Sequence, residues 1–88
     1  MSKLESIIIE SAMGSFTWVG EISWITKNGG RDLTRIQKAF NKMTKQGILT
    51  KQEGWDGRSD VYTLSDSVTA HFKLLGSKEG MRQLSQAF

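Results

Sequence analysis

The stretch Arg31-Asp32-Leu33-Thr34-Arg35-Ile36-Gln37-Lys38-Ala39-Phe40-Asn41-Lys42-Met43-Thr44-Lys45-Gln46-Gly47 decides how the rest of the chain is read. At about 100° per residue, Arg31, Arg35, Lys38, Lys42 and Lys45 fall within an arc of roughly 80°. Leu33, Ile36, Phe40 and Met43 form a second stripe centred about 160° away. The spacing predicts one helix over 32–46, apolar on one side and cationic on the other. Solvated basic faces usually interleave glutamates for i,i+4 pairing. Here Asp32 is the only acid, at a position suited to an N-cap. A cationic ladder without counter-charges suits a polyanion.

The whole chain has 88 residues and a net charge of +3. That length allows one domain and one small core. The charge is polarised. Residues 27–45 carry +5, which leaves −2 for the rest. Such a distribution steers anions to one side. There is no cysteine, which excludes a disulfide framework, a thiolate metal site and a cysteine nucleophile. No apolar run has membrane-spanning length and the N-terminus lacks signal-peptide regions. The expectation is a soluble, cytoplasmic protein with no membrane association.

Ser2 and Glu5 have capping-box spacing. Leu4, Ile7, Ile8 and Ala12 follow on one face of a first helix that ends near Met13, before Gly14. Ile9 falls off that face. Phe16-Thr17 is a short extended link with Thr17 as a candidate N-cap. Trp18, Val19, Ile22 and Ile25 define a short second helix, stopped by Lys27-Asn28-Gly29-Gly30. Trp24 lies to the side of that stripe. It is taken as a core residue rather than an anchor for a partner. After Gly47, residues 48–53 and 58–64 form two strands of a hairpin, with Gly54-Trp55-Asp56-Gly57 as its turn. Tyr62 and Leu64 share the core face. Ser65-Asp66 opens a fourth helix carrying Val68, Phe72 and Leu75, and Gly76 closes it. Met81, Leu84 and Phe88 then give a weaker helical pattern, either a short terminal helix or a tail.

Phe16-Thr17…Glu21-Ile22, Leu33…Ile36…Phe40…Met43, Gly47-Ile48-Leu49 and Val61-Tyr62-Thr63-Leu64-Ser65 make the chain resemble the winged-helix family of DNA-binding domains. The resemblance covers more than half of the sequence. It implies an α+β, mainly helical fold: a winged helix-turn-helix over 1–76, with a hairpin wing between the third and fourth helices and a tail or short helix over 77–88. It also implies double-stranded DNA as the partner and a small transcriptional regulator as the function. Carried onto this sequence, Thr34, Arg35, Lys38 and Asn41 would meet base edges in the major groove. Arg31, Lys42 and Lys45 would contact phosphates, and Lys27 and Asn28 in the turn would add backbone contacts.

The wing departs from the family pattern. Residues 51–60 sum to −1, with Arg58 the cation nearest the tip. Lys51 is placed to pair with Asp60 across the hairpin. The wing is therefore expected to be the poorer DNA contact. Trp55 at the tip could stack on DNA, contact a partner or fold back over the hairpin, and folding back is the plainest expectation. The alternative function is a winged-helix module whose basic helix or wing contacts a protein. Ile9, Met81, Leu84 and Phe88 are the apolar surface available for a homodimer. His71 is the only histidine, and no nucleophile elbow or phosphate-cradling glycine loop is present. The chain is read as a non-enzyme that requires no cofactor or metal.

Overall fold

The computed structural model describes residues 1–26 and 33–88. They form α1 (Lys3–Ala12), α2 (Val19–Thr26), α3 (Leu33–Lys45), β1 (Leu49–Gln52), β2 (Val61–Leu64), α4 (Asp66–Leu75) and α5 (Ser77–Ala87). The architecture is a small, mainly helical α+β fold with one two-stranded antiparallel sheet. Lys27, Asn28 and Arg31, assigned above to DNA contacts, lie outside the described residues. Among the described residues no helix is long and apolar enough to cross a membrane.

α1 starts as its sequence dictates. The Ser2 hydroxyl accepts from the Glu5 amide at 3.1 Å, and Glu5 Oε1 accepts from the Ser2 amide at 3.0 Å. This reciprocal box satisfies two of the amides that a helix start leaves unpaired. Ile8, Ile9 and Ala12 are all buried. Ile9 is therefore core and not spare surface. α1 touches α2, α3 and β2, so its buried arc is wider than a single stripe.

Thr17 does not cap α2. It is fully buried and pairs with Tyr62 through both backbone groups, at 2.9 and 2.8 Å. This bridge holds Thr17 extended and lays a third segment beside β2. The Thr17 hydroxyl donates to Glu21 Oε1 at 2.7 Å. The carbonyl that opens the helix belongs to Trp18, which accepts from the Ile22 amide at 3.2 Å. Ile22 enters the core, whereas Trp24 is 82% exposed. Two positions along a helix are about 200° apart, so a helix of this length that buries Ile22 turns Trp24 outward. Trp24 is not the core residue expected.

α3 buries Ile36, Phe40 and Met43 against this core. Leu33, expected in the same stripe, is 42% exposed because it opens the helix at the edge of the packing. Gly47 follows with a positive φ of 82°, and Ile48 and Leu49 continue the core. The Phe40 ring lies 4.4 Å from that of Tyr62, tilted by 33°, which joins α3 to the hairpin. In the sheet Leu49 faces Leu64 and Lys51 faces Tyr62. The strands are shorter than expected. Residues 53–60 form the tip, closed by an Arg58 amide to Trp55 carbonyl bond of 3.1 Å. Asp56 and Gly57 both have positive φ, the mirror-image turn that matches strand twist. Trp55 does not fold back over the hairpin: it is 71% exposed.

Ser65 caps α4 by accepting from the Val68 amide. The stretch after Gly76 is helical as α5, and it packs on α4. Gly80 makes this approach close, since a Cβ there would overlap the Phe72 ring. Leu84 is buried in the common core and Met81 packs against it. The self-association surface proposed for Met81 and Leu84 is thus used within the chain, while Phe88 stays 45% exposed. Gly80→Ala is expected to lower stability by about 1–3 kcal/mol through overpacking, despite the better helix propensity of alanine. A urea titration checks this, and an unchanged midpoint would mean that α5 does not press on Phe72.

Candidate nucleic-acid interface

The site is the solvent side of α3. Its core residues centre near Ile36 and Phe40. Thr34, Lys38, Asn41 and Lys45 lie on the opposite side, within about 60° of one another. All four are exposed. Along the axis they span about 16 Å. Arg35 and Lys42 lie on the flank that faces α1, and Gln37 on the flank that faces the hairpin. Among the described residues Arg35, Lys38 and Lys45 have no ion-pair partner.

Lys42 differs from the other cations. Its Nζ lies 3.5 Å from Glu5 Oε2, with the Lys42 side chain 56% exposed and that of Glu5 only 9%. Lys42, placed by its position in the stripe as a phosphate contact, is thus already paired with a carboxylate within the chain. The Glu5 carboxyl is held below the ordinary carboxylate range. Burial opposes its ionisation, but the Ser2 amide and hydroxyl together with Lys42 outweigh that opposition.

On the other flank a polar chain links the hairpin to the helix surface. Gln37 Nε2 donates to the buried Tyr62 hydroxyl at 3.1 Å and to Asn41 Oδ1 at 3.0 Å. Among the described residues the Asn41 amide donors have no partner, and its oxygen retains a second lone pair. Sequence reasoning missed Gln37. Two signals pointed to it: its i,i+4 spacing to Asn41, and the need of a buried tyrosine hydroxyl for a partner. Tyr62→Phe is expected to leave the fold intact at a cost of about 1 kcal/mol and to loosen the Asn41 side chain. Side-chain amide resonances of Gln37 and Asn41 report on this. If both kept their shifts, the link would have no role in fixing Asn41.

Arg58 is exposed at the hairpin tip with Trp55. The expected pairing of Lys51 with Asp60 is present at 3.5 Å. Asp60 Oδ1 also accepts from the Gly54 amide at 2.8 Å. That bond, then Lys51, holds the Asp60 carboxyl below its ordinary range. Asp60 is thereby engaged inside the hairpin, which leaves Glu53 and Asp56 as the acids beside Arg58. Among the described residues no three His, Asp or Glu side chains cluster as metal ligands would. No protein-family model matches the chain, and comparison with curated proteins and with solved structures finds no match.

Proposed function

We propose that the chain is a winged-helix protein that binds double-stranded DNA sequence-specifically, with α3 in the major groove, as a small transcriptional regulator. The observation that carries this reading is the outward side of α3. With Arg35 on the adjoining flank, α3 presents three cations without ion-pair partners among the described residues (Arg35, Lys38 and Lys45), together with Thr34 and Asn41, and α3 itself carries no acid. The order of elements supports it, with three helices before a hairpin. So does the Thr17–Tyr62 pairing, which fastens the hairpin to the start of α2. In this reading Arg35 pairs with guanine, its guanidinium donating twice to O6 and N7, and Asn41 with adenine, its amide accepting from N6 and donating to N7. Lys45 and Arg58 contact phosphates and set the docking position.

Titration of a mixed-sequence duplex by fluorescence anisotropy at about 50 and 200 mM salt tests the proposal. The two phosphate contacts, Lys45 and Arg58, predict a log–log slope of about −2. Affinity that does not change with salt, or no binding at the lower salt, would sink it. Trp55 favours a second reading, an interaction module for a protein. It stands 71% exposed on a tip that also holds Glu53 and Asp56, and exposed tryptophans are frequent anchors in protein interfaces. On that reading Trp55→Ala abolishes partner binding, while the duplex titration stays flat.

A further inference from the structure

We infer that Glu5 is an electrostatic latch on the DNA-binding face: it withholds Lys42 from phosphate and so sets the affinity of α3 for DNA. This inference rests on the function proposed above. Glu5 lies in α1, outside the helix that would read DNA, at the floor of a shallow groove of about 270 Å³ between α1 and α3. The groove is bordered by Ser2, Arg35, Lys38 and Lys42. Three cations line it, yet the carboxylate pairs only with Lys42 among the described residues.

The two partners are unequally tied. Lys42 is more than half exposed, with a long stem that lets its ammonium swing away. Glu5 is fixed from the other side, because its Oε1 closes the Ser2 capping box. Swinging Lys42 out to a phosphate would leave a nearly buried carboxylate with only the Ser2 groups to offset it. It would also leave that negative charge beneath an incoming polyanion. Lys42 thus has a competing anion already in place, whereas Lys38 and Lys45 have none among the described residues. The helix carries one more cation than it can spend freely on DNA, and Glu5 decides whether that cation is counted.

Glu5→Gln isolates this role. Glutamine serves equally at this capping-box position and keeps the oxygen that accepts from Ser2, so only the charge is removed. The experiment is a double-mutant cycle in the full chain, read as duplex affinity at two salt concentrations. Its members are the wild type, Glu5→Gln, Lys42→Ala and the double variant, with circular dichroism to confirm that α1 persists. Glu5→Gln is expected to bind about fivefold more tightly near physiological salt, with a slope steeper by about 0.9, the weight of one phosphate contact. Lys42→Ala alone is expected to change little, and in the double variant the gain disappears. Wild-type affinity and slope in Glu5→Gln would overturn the latch. A gain that persists without Lys42 would also overturn it, since Glu5 would then act as a plain repulsive charge. Both outcomes leave DNA binding standing. A wild type that binds no duplex would overturn the functional reading and the latch together.

Discussion

Phe40→Ala is expected to destabilise the protein by about 3–5 kcal/mol, a large part of the stability available to a domain of this length. Phe40 is fully buried and lies where α3 meets the hairpin, with its ring against Tyr62. Removing it deletes apolar contact on both sides and leaves a cavity between two elements that cannot collapse freely. β2 is held on its other edge by Thr17, and α3 is held by Ile36 and Met43. The loss reaches the surface as well. Tyr62 would lose its stacking partner, and its hydroxyl anchors Gln37 and through it Asn41. Urea unfolding should show the lowered midpoint. A loss below about 1 kcal/mol would mean that the α3–hairpin contact is not where the core is concentrated.

Paired reversal of Lys38 and Lys45 to glutamate is expected to weaken duplex binding by about 100-fold or more near physiological salt. Lys45 stands for a phosphate contact and Lys38 for a base-edge contact, and each glutamate adds repulsion where attraction was lost. Both positions are exposed and make no ion pair among the described residues, so the fold should tolerate the change. Thermal unfolding should stay within a few degrees of the wild type while affinity collapses. Arg58→Ala at the wing tip gives the comparison. A greater loss there than in the α3 double variant would move the main DNA contact to the hairpin, despite Glu53 and Asp56.

The helices were legible because each has local signals. Ser2 with Glu5, Ser65 before Asp66, and Gly47 and Gly76 mark ends that depend on neighbours within a few residues. The i, i+3, i+4 stripes supply the faces. The hairpin was legible for the same reason, with the change of period after Gly47 and an Asp-Gly turn. Other features were not, because they depend on how the elements pack together. Thr17 looked like a cap until Tyr62 claimed its backbone. Ile9 and Leu84 looked spare until several elements closed around them. Trp24 looked like a core residue and Trp55 like a ring folded back over the hairpin, but both stand largely exposed. At the candidate site, the basic stripe of α3 was visible in sequence. That Lys42 is occupied was not, since nothing in the spacing of α3 points to a carboxylate in α1.

The pairing of Thr17 with Tyr62 has a bearing on the order in which the molecule assembles. These two residues close a loop that encloses α2, α3 and β1. The entropic cost of such a closure grows only slowly with loop length, by about 0.6 kcal/mol per doubling. It must nevertheless be met before the contacts it brings can repay it. Helices form from neighbours and are quick, so α3 can take shape before the clasp shuts. A clasp made late contributes chiefly to the barrier against unfolding, as contacts absent from the transition state do. The Thr17–Tyr62 pairing then acts as a brake on unfolding more than as a guide to folding.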